Sequence, residues 1–79
     1  MHLKLEATMW VGDGIGREAT QYEVRGLPPG ADDIFITGYG APRNRWRVRP
    51  GRQGAMSDYP GDYESPEAAL AAIEDEYSR

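Results

Sequence analysis

The most restrictive feature of the sequence is a two-residue alternation of apolar and polar side chains near its start. Over residues 2–11, one face of an extended chain carries every apolar side chain except that of Trp10. These residues are Leu3, Leu5, Ala7, Met9 and Val11. Strict alternation over ten residues is typical of a half-buried strand. The chain therefore begins with a predicted strand that can bury only one of its faces.

Three further segments, residues 20–25, 34–39 and 44–49, have the alternation or the composition of strands. Gly12, Gly14 and Gly16 permit a tight reversal, which predicts an antiparallel hairpin from the first two strands. The prolines in residues 26–33 exclude a strand or helix interior there. The sequence therefore predicts four consecutive strands.

A helix is predicted at the end of the chain. Ser65 is an N-cap residue, Pro66 suits the first helical position, and residues 68–77 are strong helix formers. One face of this helix is apolar and consists of Ala69, Leu70, Ile73 and Tyr77. The predicted fold is therefore α+β: a four-stranded antiparallel sheet with one C-terminal helix packed on one face. A chain of 79 residues allows one domain, residues 1–79.

Residues 50–64 are predicted to form a long loop, with Tyr59 and Tyr63 contacting the core. Loops of this length are uncommon in a small domain and are often functional, although a plain crossover from the sheet edge to the helix is the more usual explanation.

The composition argues against an enzyme. Cysteine is absent, which excludes thiolate catalysis and cysteine-ligated metals, and the one histidine, His2, lies at the mobile end of the chain. The glycines of residues 12–16 lack the following helix and lysine of a phosphate-binding loop. The carboxylates at 58, 62 and 64 lack the spacing of a calcium loop. We therefore expect no catalytic residue, no metal and no cofactor.

The sequence also argues against a membrane protein. No apolar run approaches the roughly 20 residues of a membrane-spanning helix, and the first residues do not form a signal peptide. A cytoplasmic location is therefore expected.

The predicted fourth strand carries an unusual arginine pattern. Its odd positions are Arg43, Arg45, Arg47 and Arg49, and Arg52 follows. Side chains on one face of a strand repeat about every 6.6 to 7 Å, which is comparable to the phosphate spacing of an extended single strand. This pattern indicates a nucleic-acid contact.

A single-strand binding site needs aromatic side chains for base stacking as well as basic residues for phosphates. Near this strand, Tyr39, Trp10 or Trp46 could stack on bases. Two observations weigh against it: Trp46 should face away from the arginines, and the net charge of −4 is acidic. The alternatives are that the arginines pair with Glu6 and Glu23 across the sheet, or that they contact a protein.

Negative charge is concentrated in the last third of the chain. Residues 53–79 contain seven acidic residues and one arginine, a net charge of −6, whereas residues 1–52 contain eight basic and six acidic residues, a net charge of +2. Such an acidic patch can steer a basic partner or take the place of phosphates on a nucleic-acid-binding surface. The plain alternative is a solvated helix face.

The small acidic domain, its Trp46-Arg47-Val48 strand and its tail over residues 63–70 resemble small inhibitors from bacteriophages and mobile elements, of which anti-CRISPR proteins are the best known. This resemblance implies stoichiometric binding to a CRISPR effector or nuclease without cofactors. It carries no functional residue over to this chain.

Two functions are therefore predicted. The first is a non-catalytic protein-binding module that inhibits a larger nucleic-acid-handling complex, either as a monomer or as a homodimer. Its expected contact residues are Asp58, Asp62, Glu64, Glu74, Asp75 and Glu76, with Arg45, Arg47, Arg49 and Trp10 as a second surface. The second is a single-stranded nucleic-acid-binding domain that uses the arginine-rich strand.

Overall fold

Four strands and one helix follow each other along the chain, as the sequence predicts. The computed structural model describes residues 2–12, 14–31, 33–40, 43–51 and 62–78. The elements are β1 (Lys4–Val11), β2 (Glu18–Arg25), β3 (Ile34–Tyr39), β4 (Arg45–Pro50) and α1 (Pro66–Tyr77), with a single 3-10 turn at Gly14–Gly16. The strands form one antiparallel sheet in the order β1-β2-β3-β4. The α+β prediction is confirmed, and the element ends differ from prediction by two residues at most.

The core lies between α1 and one face of the sheet. α1 packs against β1, β3 and β4. Ile36 on β3 and Ile73 on α1 are completely buried. The other buried apolar residues are Leu3, Val24, Ile34, Trp46, Val48 and Ala69. Burying a large apolar side chain contributes about 1.5–3 kcal/mol, so this layer supplies most of the stabilisation that so small a chain can obtain.

The start of α1 has the predicted cap. The Ser65 side chain accepts a hydrogen bond of 3.1 Å from the backbone N–H of Ala68, and Pro66 occupies the first helical turn. The predicted apolar face is confirmed, because Ala69 and Ile73 are buried and the two residues beside them, at 70 and 77, pack against the core.

One predicted contact residue of the helix has a partner within the chain. Glu74 is half-buried and accepts a 3.3 Å hydrogen bond from the backbone N–H of Leu3. The N–H of Leu3 has this partner because β1 begins only at Lys4. Glu74 therefore ties the end of the chain to its beginning.

A single backbone bridge pairs with the outer edge of β4 at Trp46. The backbone groups of Trp46 and Tyr63 exchange two hydrogen bonds of 2.8 Å, antiparallel, outside the named strands. The predicted contact of Tyr63 with the core is confirmed. The other predicted anchor, Tyr59, and residues 52–61 of the predicted loop lie outside the described residues.

The β1–β2 hairpin continues beyond the four-stranded part of the sheet. β2 pairs with β3 only through Gln21–Glu23, whereas β1 pairs along the whole of β2. The hairpin reverses where predicted, with positive φ angles of 92° at Gly12 and 57° at Gly14. Because no described element packs over this end, its apolar residues are exposed. These are Met9, Trp10, Val11 and Ile15, so the predicted half-burial of Met9 and Val11 is wrong.

Gly38 makes room for the largest side chain of the core. It pairs with Trp46 across β3 and β4, and a Cβ atom at this position would lie 2.8 Å from the Trp46 ring and 2.5 Å from Cδ of Arg43. Both distances are shorter than any ordinary contact, so a side chain here would displace the indole ring.

Replacing Gly38 with alanine should therefore destabilise the fold by about 1–3 kcal/mol, the usual cost of overpacking a core. The matched control is Gly16→Ala, since a Cβ atom at Gly16 meets no atom within 4 Å. Its effect should stay within about 0.5 kcal/mol. Urea denaturation of both variants measures the difference, and equal stabilities would contradict the packing of Trp46 described above.

Candidate binding face of the sheet

The face of the sheet opposite α1, here called the open face, carries most of the predicted basic site. Alternation places its residues between the buried ones: Phe35 and Thr37 flank Ile36, and Arg47 lies between Trp46 and Val48. Because a strand alternates with a period of two, burial of one set fixes the other set on the opposite face. The residues that the core buries therefore determine which residues lie on the open face.

The β3–β4 part of this face, here called the arginine half, combines three arginines with two aromatic rings. In the sheet register, Phe35 pairs with Arg49, Thr37 with Arg47, and Tyr39 with Arg45. The arginine half therefore consists of Phe35, Thr37, Tyr39, Arg45, Arg47 and Arg49. The three β3 residues are half-buried and the three arginines are exposed. The Arg47 guanidinium lies 5.4 Å from the centre of the Tyr39 ring, within cation–π distance.

Arg43 does not belong to this row, contrary to the sequence prediction. Its side chain lies against Gly38, on the core side of the sheet, with Nη1 donating to the Gly38 carbonyl at 3.3 Å. Its Nε donates to Glu18 at 3.2 Å. The alternation fails here because β4 begins only at Arg45, so Arg43 belongs to the preceding turn. Arg52, the predicted fifth member, lies outside the described residues.

Asp62 is the acidic residue that contacts the arginine half. The bridge between Trp46 and Tyr63 brings the residue before Tyr63 beside Arg47, whose Nε donates to the Asp62 carboxylate at 2.6 Å. This hydrogen bond, together with the carboxylate charge, raises the pKa of Arg47. Arg47 is exposed, so the pair contributes little to stability. The main effect of this ion pair is that one of the three arginines already has a partner within the chain.

The predicted pairing of Glu6 and Glu23 with the β4 arginines is wrong. Both carboxylates bind Arg25 instead, and the hydrogen bond that Arg25 donates to Glu6 is the main reason that the pKa of Arg25 is raised. The physical reason is the register, which pairs Glu6 with Glu23 and places Arg25 diagonally next to Glu6, whereas β4 lies two strands from Glu23 and three from Glu6.

Within the part of the chain that the structure describes, Arg45 and Arg49 lack a carboxylate partner. In the described part of the chain, no acidic side chain lies within ion-pair distance of either guanidinium. A cation without a protein partner can neutralise an anionic ligand without first breaking an internal ion pair.

A shallow cavity of about 220 Å³ lies at the end of the arginine half. It is lined by Gln21, Phe35, Arg49, Pro50 and Gly51. This volume is below the range of about 300–1,000 Å³ that is usual for drug-sized ligands, so the cavity suits one small planar group.

Two threonines fix the orientation of the Gln21 amide at this cavity. Gln21 Nε2 donates to Thr8 Oγ1 at 3.2 Å, and Thr37 Oγ1 donates to Gln21 Oε1 at 3.2 Å. Because a primary amide has two N–H groups and two carbonyl lone pairs, one donor and one acceptor position remain free. Gln21 is therefore a preorganised polar contact beside an aromatic ring.

The two tryptophans lie in different environments. Trp46 is only 6% exposed and contacts the Tyr22 ring at a centroid distance of 5.8 Å, which confirms that it faces away from the arginines. Trp10 is 46% exposed, and the Arg17 guanidinium lies 4.4 Å from the centre of its ring. Of these two rings, only Trp10 is accessible to a partner.

The predicted acidic contact residues that the structure describes have different surroundings. Asp62 lies beside Arg47, whereas Glu74 contacts the start of the chain. Asp75 and Glu76 are exposed near the end of α1, and Glu64 is exposed just before that helix. Asp58 lies outside the described residues. The structure therefore brings one acidic residue to the arginines and places the other described ones on or near α1.

Phe35, Thr37 and Gln21 are site residues that the sequence prediction missed. The strand over residues 34–39 was predicted with the correct bounds, but its two faces were not distinguished. Once Ile34 and Ile36 are assigned to the core, the odd-numbered residues of β3 must share a face with the arginines. The role of Gln21 has no comparable sequence signal, because it depends on contacts with Thr8 and Thr37.

No protein-family model, curated protein or solved structure matches this chain. No other family's functional residues can therefore be assigned to it, and the resemblance to anti-CRISPR proteins stays a prediction. The helix of the described part has 12 residues and is too short to cross a membrane.

Fluorescence quenching checks the contrast between the two tryptophans. In a Trp10→Phe variant, acrylamide should quench the remaining emission only weakly, because Trp46 is buried beneath α1. The unfolded variant in urea provides the fully accessible reference. Quenching of the folded variant that equals this reference would contradict the placement of Trp46 in the core.

Proposed function

We propose that this chain binds single-stranded nucleic acid across the arginine half of the open face. The observation that carries the proposal is the row of three exposed arginines on β4, in register with Phe35, Thr37 and Tyr39 on a sheet face that α1 does not cover. A basic track beside aromatic side chains is the combination that sequence-independent single-strand binders use.

The arginines supply the phosphate contacts in this proposal. Arg45, Arg47 and Arg49 project from the same face about 6.6 to 7 Å apart, so each can meet a different phosphate along an extended strand. Arg45 and Arg49 have no carboxylate partner in the described part of the chain. Arg47 must first leave Asp62, which makes it the weakest of the three contacts.

The β3 residues supply the base contacts. Tyr39 and Phe35 are half-buried, so each ring is held in place while part of it stays accessible for stacking. Alanine substitution of such a stacking residue usually weakens binding by about 1–3 kcal/mol per base. The cavity beside Phe35 accepts one base, whose edge would form hydrogen bonds with Gln21. The Arg49 side chain, which also lines the cavity, would contact the phosphate of the same nucleotide.

The net charge of −4 does not oppose this function, since the charges are segregated. The carboxylates of α1 lie on the side of the sheet away from the arginines, and Arg25 forms ion pairs with Glu6 and Glu23, which neutralises one of their two charges. The acidic side repels phosphates and so orients a polyanion toward the arginine half. With three phosphate contacts, we expect weak, strongly salt-dependent binding.

Binding to a protein is the second candidate function, and a different observation favours it. Met9, Trp10, Val11 and Ile15 are between 46% and 110% exposed at the free end of the hairpin. Exposed apolar residues that cluster in this way are typical of protein contacts. The inhibitor hypothesis would use this surface together with the acidic residues of α1.

A pair of charge-matched variants tests the proposed function. Arg45→Gln with Arg49→Gln removes two arginines of the arginine half, while Arg17→Gln with Arg43→Gln removes two that contact Trp10 and Glu18. Both double variants carry the same net charge. Fluorescence anisotropy with a labelled single-stranded oligonucleotide should show a salt slope smaller by about 1.4 for the first variant, at about 0.7 per lost phosphate contact. The second variant should keep the slope of the original chain.

The opposite change provides a gain-of-affinity control. Asp62→Asn removes the carboxylate that occupies Arg47, so binding should tighten and the slope should rise by up to about 0.7. Equal slopes for the two double variants would contradict the proposal, because binding would then follow net charge alone. Tighter binding of a duplex than of the single strand would also contradict it, since the bases of a duplex are not free to stack on Tyr39.

A further inference from the structure

We propose that the cavity at the end of the arginine half selects adenine at one position of the bound single strand, and that Gln21 is the residue that discriminates between bases. This inference rests on the proposed function and names the base that its cavity takes. In the described part of the chain, the cavity is lined by Gln21 on β2, Phe35 on β3, and Arg49, Pro50 and Gly51 at and just beyond the end of β4. It therefore combines an aromatic ring, a cation and a side-chain amide.

The Phe35 ring provides a fixed stacking surface in this cavity. In the sheet register, Phe35 lies between Glu23 on β2 and Arg49 on β4. The backbone of Gly51 lies close to the ring, since a Cβ atom at this position would be 3.2 Å from Cε2 of Phe35. The N–H of Gly51 in turn donates to the Asp33 carbonyl at 2.6 Å. A purine covers more of such a ring than a pyrimidine does, because it has two fused rings, and stacking strength is a source of base preference.

The orientation of the Gln21 amide is determined by the threonines on either side of it. The Thr8 hydroxyl donates its one proton to the backbone carbonyl of Gln21 at 3.4 Å. Toward the Gln21 side chain, Thr8 can therefore only accept, which places Nε2 beside it at 3.2 Å. On the other side, the Thr37 hydroxyl donates to Oε1 at 3.2 Å. Exchanging Nε2 and Oε1 would place an acceptor against Thr8, so the donor and the acceptor of Gln21 keep fixed places.

Adenine is the base that this fixed amide fits best. The amide keeps one free N–H and one free carbonyl lone pair. Adenine presents a matching acceptor and donor on both edges away from its sugar, N7 with N6–H and N1 with N6–H, and glutamine binds adenine N6 and N7 in this bidentate way. Guanine presents two acceptors, N7 and O6, on the first edge. On the second edge, its O6 and N1–H stand where adenine has N6–H and N1, so in the pose of adenine like groups would face each other.

The pyrimidines fit less well because each has only one ring to stack on Phe35. Cytosine has the donor and acceptor order of adenine on a single edge, and thymine has the reversed order. Arg49 is used by the phosphate of the same nucleotide, which leaves Gln21 as the side chain that meets the polar edge of the base. The expected order of affinity therefore has adenine first, with the other three bases below it.

Fluorescence anisotropy with short labelled thymine oligonucleotides tests the proposal on the original chain. Each strand carries one central adenine, guanine, cytosine or unsubstituted purine. Purine has the ring system of adenine without the N6 amino group, so it separates hydrogen bonding from stacking. A bidentate base contact gives about 5- to 150-fold discrimination, and for this shallow cavity we expect the adenine strand to bind about fivefold tighter than the others. Equal affinities for adenine, guanine and purine would overturn the proposal, as would tighter binding of guanine.

Two variants of nearly unchanged side-chain volume assign the preference to the Gln21 amide. Gln21→Met removes both polar groups and should abolish the preference for adenine over purine. Thr37→Val removes the hydrogen bond that orients the amide and should reduce the preference for adenine over guanine. Thermal melts establish that both variants fold, and the comparison of adenine with purine on the original chain does not depend on them. A preference that persists unchanged in Gln21→Met would overturn the role of Gln21.

The salt dependence of binding separates failure of this inference from failure of the proposed function. If all strands bind equally and the salt slope still falls in the variant with Arg45→Gln and Arg49→Gln, the adenine preference is wrong and the proposed function stands. If no strand binds to the original chain, both are wrong.

Discussion

Packing of α1 against one face of the sheet is the interaction on which the rest of the structure depends. Ile36 and Ile73 meet in the centre of this layer, and Trp46 fills the space that Gly38 leaves open. A strand that buries Trp46 and Val48 must present its intervening residues to the other side. The exposed arginine row and the aromatic residues beside it are thus fixed by the same packing that stabilises the chain.

This arrangement separates the charges of a small acidic protein. The carboxylates of α1 and the β4 arginines lie on opposite sides of the sheet. On the open face, Arg25 forms ion pairs with Glu6 and Glu23. Among the residues that the structure describes, only Asp62 forms an ion pair with the arginine half, through Arg47. A chain with a negative net charge can therefore present a local cationic surface, and bulk composition is a poor guide to its partners.

Much of the fold could be predicted because local signals agree with the tertiary structure. Alternation in residues 2–11, the glycine turn, and the Ser65-Pro66 helix start each specify an element, and antiparallel pairing of consecutive strands is the simplest connection. The exposure of Met9 and Val11 could not be predicted in this way. Their alternation with the start of β1 indicates burial on the same face, but the register shift after Ala7 pairs Met9 with Gln21, which lies on the open face. A single sequence does not specify such a shift.

The candidate site could be predicted in part. The arginines of β4 were identified because alternation within a strand is local, whereas Arg43 was misassigned because the exact start of β4 is not a local property. The ion pairs were the least predictable. Arg47 with Asp62 depends on the bridge at Tyr63, and Arg25 with Glu6 and Glu23 depends on the register of β1 with β2. A single sequence does not specify such long-range pairings.

The most direct measurement is a titration of the isotopically labelled chain with a short single-stranded oligonucleotide, followed by amide chemical shifts in NMR spectra. The account predicts shifts concentrated in β3 and β4, at the residues of the arginine half, with those of α1 unchanged. Shifts confined to α1 or to the end of the β1–β2 hairpin would contradict it, because binding would then use a surface other than the open face.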